Sequence, residues 1–258
     1  MKKIKIITTG GTIAMGEDKT THQIVPKSSG TDFLNYVPEI NNIAKLDLVK
    51  FSNLDSSQLK PEMILKLGKL VENCLEEEDI SGVLITHGTD TLEETAYLLD
   101  LYLDIEKPVV ITGALRSFSQ PSSDGKANLI QALQTIIDSH SKNKGVLVVL
   151  NNQIHAARFV SKIHTNQLSA FVSLNSGPIG NIDHGGIHYF YELKPQITVK
   201  TTKLENDVEI IKLAIGNDDK LIQAALDYGC KGIILEGFGL GTLPKKVIPG
   251  LKRAKKEN

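Results

Sequence analysis

The chain has little that would point to a partner or a cofactor. It carries two cysteines, Cys74 and Cys230, among 258 residues. One falls in a helical pattern and one beside a strand-like run. Both read as small buried hydrophobes, not as a disulfide framework or a metal site. A net charge of -1 leaves no electrostatic footprint for nucleic acid or a membrane surface. No segment reaches the apolar length needed to span a bilayer. The start, Met1-Lys2-Lys3, leads into a short alternating strand that is too brief for a secretory signal, so the expected compartment is the cytoplasm. The seven histidines show no metal-ligand spacing; His184 and His188 lie four apart, but in a Gly-rich stretch and not on a helix. Internal repeats and low-complexity tracts are absent.

What is there is ordinary globular composition, 41% hydrophobic and 23% charged, enough for one large or two modest cores. Strand-like runs near residues 3–8, 46–51, 82–86, 108–112 and 145–150 alternate with helical patterns. One helix starts at Pro61, with Ile64, Leu67, Val71, Cys74 and Leu75 on one face. A second starts at Thr91, which with Glu94 spells a capping box. A third follows Ser123 and Asp124, with Leu129, Leu133, Ile136 and Ile137 as its stripe. Strands alternating with helices predict an α/β fold with a mainly parallel sheet and right-handed crossovers. From about 151 to 190, Gly177, Pro178, Gly180, Gly185 and Gly186 punctuate short runs and predict a hairpin excursion. The expected division is residues 1–191 as a large α/β domain, 192–207 as a linker, and 208–258 as a smaller α/β domain.

Two threonine-bearing loops carry the chemistry. Thr8-Thr9-Gly10-Gly11-Thr12-Ile13-Ala14 follows the first strand, and Thr86-His87-Gly88-Thr89-Asp90-Thr91-Leu92-Glu93-Glu94 follows the third. Carboxyl ends of strands are where open α/β sheets build their sites. A threonine hydroxyl needs a positioned base and an oxyanion site to act as a nucleophile, and Gly10 and Gly11 let backbone N–H groups approach a ligand. Neither loop is a dinucleotide fingerprint or a phosphate loop. Either loop alone fits a tight turn or a helix cap as well as it fits a site; two in one chain point to a site. Lys162 by itself reads as a surface charge. If it meets Asp90, the pair can relay a proton from Thr89. Asp55, Ser56, Ser57 and Gln58 offer donors for a small carboxylate, or form a plain polar turn ahead of Pro61.

Thr9-Gly10-Gly11-Thr12-Ile13-Ala14 and Thr86-His87-Gly88-Thr89-Asp90-Thr91 resemble the two signatures of the bacterial-type L-asparaginases. Lys107-Pro108-Val109-Val110-Ile111-Thr112-Gly113-Ala114-Leu115-Arg116, Ser123-Asp124-Gly125, Gly145-Val146-Leu147-Val148-Val149 and Gly177-Pro178-Ile179-Gly180 agree as well. The resemblance implies an amidohydrolase that releases ammonia from L-asparagine, often with weaker action on glutamine, and needs no cofactor and no metal. It implies Thr12 as nucleophile, with Thr89, Asp90 and Lys162 activating Thr12 or the hydrolytic water. Ser56, with Ser57 beside it, would hold the substrate α-carboxylate, and Asp90 its α-amine. Ala114 would line the pocket near the side-chain amide. Family members assemble as dimers, often paired into tetramers, and Asn217 aligns with a residue donated by the neighbour.

Three departures from that pattern stand out. The family continues past the position matching Asn258, so the smaller domain is expected to lack its last strand and helices, together with an acidic residue donated to the substrate amine. An uncovered strand edge and an exposed apolar face should follow. Residues 13–30 contain no tyrosine where many members carry one against the nucleophile; Gln23 and His22 lie nearest that place. Ser57 stands where many members have glutamine. Other readings are an inactive truncated form, a catalytically silent amino-acid-binding relative, or the ammonia-supplying subunit of an amidotransferase. Subunits of that last kind carry an extra domain before the first motif. A nucleotide-binding α/β domain fits the sheet but finds no phosphate-cradling motif.

Overall fold

The computed structural model describes residues 1–11, 15–17, 24–26, 37–118, 120, 122–194 and 197–257, the two short stretches 15–17 and 24–26 by backbone alone. The chain divides into two compact units, Met1–Thr202 and Lys203–Asn258.

In the first unit the strands are β1 (Lys3–Gly10), β2 (Met15–Glu17), β3 (Ile24–Pro26), β4 (Lys45–Leu54), β5 (Ile80–Thr86), β6 (Val109–Thr112), β7 (Val146–Leu150), β8 (Gln153–Ala156), β9 (Val160–Lys162), β10 (Phe171–Ser173), β11 (Gly180–Asp183) and β12 (Gly186–Tyr189). Its helices are α1 (Pro61–Glu76), α2 (Leu92–Tyr102) and α3 (Gly125–Ile137). Eight strands form one sheet in the order β12-β11-β8-β7-β6-β5-β1-β4. The five strands from β4 to β7 run parallel, and β8, β11 and β12 add antiparallel pairings at one edge. β2 pairs with β3, and β9 with β10, in separate two-stranded sheets.

The sheet is covered on both faces, and the period-2 geometry of a strand decides which residue goes where. Ile7, Val83, Ile85, Val109, Ile111, Val146 and Val148 point to the layer of α1 and α2. Ile4, Ile6, Leu84, Val110, Leu147 and Val149 point to the layer of α3. α1 buries Ile64, Leu67, Val71 and Cys74, the stripe its sequence periodicity predicts. Proline is well placed at its first position, where no N–H is needed.

The chain crosses from β4, on one side of β1, to β5 on the other. That reversal makes the carboxyl ends of β1 and β5 the topological switch point of the sheet, where the connecting loops diverge and leave a crevice.

The second unit holds β13 (Val208–Lys212), α4 (Lys220–Asp227), β14 (Gly232–Glu236) and α5 (Ile248–Glu257). β13 and β14 pair in parallel. Ile211, Leu213, Ile222 and Val247 form a small core. Ile210, Leu221 and Ile234 remain 74%, 60% and 58% exposed. The sheet of this unit has two strands among the described residues.

One local expectation is corrected. Thr91 does precede α2, but its side chain makes no capping bond, and Glu94 is exposed. The Thr91 hydroxyl donates instead to the carbonyl of Ser56 at 2.9 Å. A tertiary acceptor in the loop after β4 outcompetes the local N–H groups, so the capping box does not form.

Candidate active site

The loops after β1 and β5 meet backbone to backbone. A Cβ on Gly11 would lie 2.2 Å from Gly88 Cα and 2.4 Å from Gly88 N. Gly11 also has φ +81°, a conformation that L side chains rarely adopt. Gly88 is crowded too, since a Cβ there would sit 2.8 Å from Ser56 Oγ. Glycine at both positions is what allows three loops, after β1, β4 and β5, to converge.

The convergence is tied down by hydrogen bonds. Thr9 Oγ1 donates to Thr86 O at 3.0 Å, and Ser52 Oγ donates to Thr9 O at 2.6 Å. Thr91 N donates to Ser56 Oγ at 3.4 Å, which leaves the Ser56 hydroxyl proton available to a ligand. His87 is fully buried and donates Nδ1–H to the adjacent Gly88 carbonyl at 2.7 Å. Burial pulls its pKa down to about 4, against the opposing pull of that carbonyl. The imidazole is therefore a neutral strut of the loop.

A cavity of about 260 Å³ opens above these strand ends. Gly11, Asp55, Ser56, Ser57, Thr89, Asp90 and Lys162 are among the residues lining it. Lys162 ends β9, and its Nζ lies 3.0 Å from Thr89 Oγ1 and 2.7 Å from Asp90 Oδ1. The lysine side chain is only 13% exposed, whereas that of Asp90 is 73% exposed. Such a pair can hold or pass a proton toward the cavity.

Of the expected site residues, Ser56, Ser57, Thr89, Asp90 and Lys162 share this cavity. Ala114 is fully buried beside Leu115, which lines it. Asn217 belongs to the second unit, where its Oδ1 accepts from Ala214 N at 2.6 Å. Thr12 lies outside the described residues, as do His22 and Gln23; Gly11, its neighbour in the chain, lines the cavity. Leu115, Thr165 and Asp124 were not singled out from the sequence as site residues. The Asp124 carboxylate accepts from Leu115 N at 3.0 Å, Arg116 N at 2.9 Å and Asn128 Nδ2 at 3.0 Å, so it pins the loop that presents Leu115. Ser123-Asp124 reads locally as a helix start, and only the long-range bonds reveal the second task.

A larger cavity of about 580 Å³ lies in the second unit, but no serine, threonine or histidine lines it. Among the described residues no group of histidine, cysteine, aspartate and glutamate could hold a metal ion, and no helix is long and apolar enough to cross a membrane.

The N-terminal asparaginase family model matches residues 3–195, and the glutaminase/asparaginase C-terminal domain model matches residues 207–258. The chain belongs to the asparaginase family of enzymes. It is 37% identical over 264 residues to L-asparaginase 2 of Escherichia coli, a match spanning 99% of this chain and 75% of the relative. It is 33% identical over 253 residues to an L-asparaginase of Bacillus licheniformis, spanning 98% and 78%. A glutamyl-tRNA(Gln) amidotransferase subunit from Methanococcus vannielii is similar as well, 33% identical over 100% of this chain and 63% of its own length. Among solved structures, a probable cytoplasmic L-asparaginase from Campylobacter jejuni superimposes with a TM-score of 0.89 at 34% identity, covering 100% of this chain and 81% of the other.

Proposed function

We propose that this chain hydrolyses L-asparagine to L-aspartate and ammonia through an acyl-enzyme on Thr12, in the cytoplasm and as a homodimer or homotetramer. The observation that supports it most is the Lys162 ammonium nitrogen shared between Thr89 Oγ1 and Asp90 Oδ1, in a cavity lined by the residue next to Thr12.

In this reading Thr12 Oγ adds to the side-chain carboxamide carbon and gives its proton to the Thr89–Asp90–Lys162 trio. The C–N bond then breaks as the amide nitrogen takes a proton and leaves as ammonia. Water adds to the resulting ester carbon, delivers one proton to the trio, and Thr12 Oγ departs as the restored hydroxyl. The trio's proton balance closes over the two halves.

The rest of the cavity suits the substrate's other end. Ser56 Oγ, with Ser57 beside it, donates to the α-carboxylate, and the exposed carboxylate of Asp90 pairs with the α-amine. Ala114 backs the side-chain amide. Asn217 acts in the neighbouring subunit's site.

The test is direct. Purified chain is incubated with L-asparagine and with L-glutamine while ammonia and particle size are followed together. Ammonia from asparagine, with a smaller yield from glutamine, is expected from an oligomer. Asparagine bound without any ammonia released would make the protein a silent binder, and a monomer with full activity would remove the role given to Asn217.

A further inference from the structure

Lys162 reaches the site from a strand with little support of its own. β9 is three residues long and, among the described residues, pairs only with β10. Lys162 lies opposite Phe171 in that pairing, and the next N–H, that of Ile163, donates to Ala170 O at 2.8 Å. Successive N–H groups along a strand alternate sides, so the N–H of Lys162 points away from β10. There it meets the Glu93 carboxylate and donates to Oε2 at 2.6 Å. Glu93 belongs to the first turn of α2, where an anion is favoured by the helix N-terminus.

One short segment therefore grips the lysine at both ends. Thr89 and Asp90 hold Nζ, and Glu93 holds the backbone nitrogen. A flexible four-carbon stem has no rigidity of its own, so where Nζ sits depends on how both of its ends are held. We infer that Glu93 is a positioning residue for the hydrolysis: its carboxylate takes the bond that a neighbour strand would take on that side of β9 and sets Lys162 so that Nζ reaches Thr89 and Asp90. This rests on the function proposed above, because it assumes that Lys162 serves the reaction. Nothing in the local sequence assigns Glu93 the task; it sits beside Glu94, the residue that a capping box would use.

The test compares Glu93→Ala with Glu93→Gln, each alone and with Lys162→Met, in the full chain. Two readouts are taken: steady-state ammonia release from asparagine, and amide hydrogen exchange at Lys162. Glu93→Ala is expected to lower kcat about 10- to 100-fold, the range of a misplacement near 1 Å, with KM held within about threefold. Glu93→Gln should keep most of the rate, since its carboxamide oxygen accepts the same bond. In the Lys162→Met background Glu93→Ala should cost nothing further, as two residues acting through one group are not additive. Exchange at the Lys162 amide should speed up in Glu93→Ala and not in Glu93→Gln. Equal losses in the two variants, a loss carried by KM, additivity with Lys162→Met, or an unchanged Lys162 amide would each overturn the inference. A wild-type chain without turnover would sink the proposed function and the kinetic role with it, while the exchange arm still decides whether Glu93 anchors β9.

Discussion

At the scale of single residues, the weight falls on contacts between groups far apart in the chain. Thr89 and Asp90 are adjacent and precede a helix, so a site there was legible as a motif. Lys162 is 72 residues further on from Asp90, and its place beside that carboxylate followed only from the family resemblance. No spacing rule connects the end of a three-residue strand to a loop on another strand. Lys162→Met keeps most of the stem and deletes the charged tip. It should lower kcat roughly 10²- to 10⁴-fold, the usual range for a lost acid–base group, with a much smaller change in KM. Steady-state kinetics checks this; an unchanged kcat would remove Lys162 from the chemistry. Asp124 makes a second case. Its carboxylate accepts from the N–H groups of Leu115 and Arg116, and no local pattern announces it. Asp124→Ala should destabilise the fold by about 1 kcal/mol, because half-buried donors lose their acceptor. Chemical denaturation reads that directly, and a midpoint equal to wild type would contradict it.

At the scale of elements, the sequence was a good guide wherever one period ruled. The alternation Val83, Leu84, Ile85 splits cleanly between the two helical layers. α1 shows its 3.6 period and starts at Pro61, where the sequence places it. Legibility failed where a tertiary partner outbid a local one, as when Ser56 took the Thr91 hydroxyl. It also failed for the β9–β10 pair, whose strands of three residues each are too short to show any period. The glycines of the two motifs gain their meaning only once the loops are seen to touch. Gly11→Ala would force a Cβ to within 2.2 Å of Gly88 Cα and strain a backbone at φ +81°. The left-handed strain alone costs about 1–2 kcal/mol. Parting the two loops should in addition cut ammonia release by roughly 10²-fold. An alanine variant with wild-type rate and stability would show that the loops do not need this contact.

At the scale of the molecule, two buried imidazoles set how stability responds to acid. Burial drives the pKa of both His87 and His155 down to about 4 from an ordinary value of 6.5. The folded state therefore binds fewer protons than the unfolded chain between these values. Stability is fully present above about pH 6.5 and falls as the pH drops toward 4, by about 1.4 kcal/mol per pH unit for each proton the unfolded chain holds in excess. Urea midpoints between pH 7.5 and pH 5 should decline accordingly, and a flat profile would mean that neither imidazole stays neutral. The sheet that buries His87 is the same sheet whose switch point opens the cavity, so integrity of the fold and of the site should fail together on acidification. Turnover, as proposed, depends on the Thr12 hydroxyl. Thr12→Ala removes that oxygen, and the measurement is ammonia released from L-asparagine by this variant beside the wild type, with far-ultraviolet circular dichroism showing equal folding. The expected result is a wild-type rate that disappears in the variant. Turnover retained in Thr12→Ala would contradict the assignment of Thr12 as nucleophile.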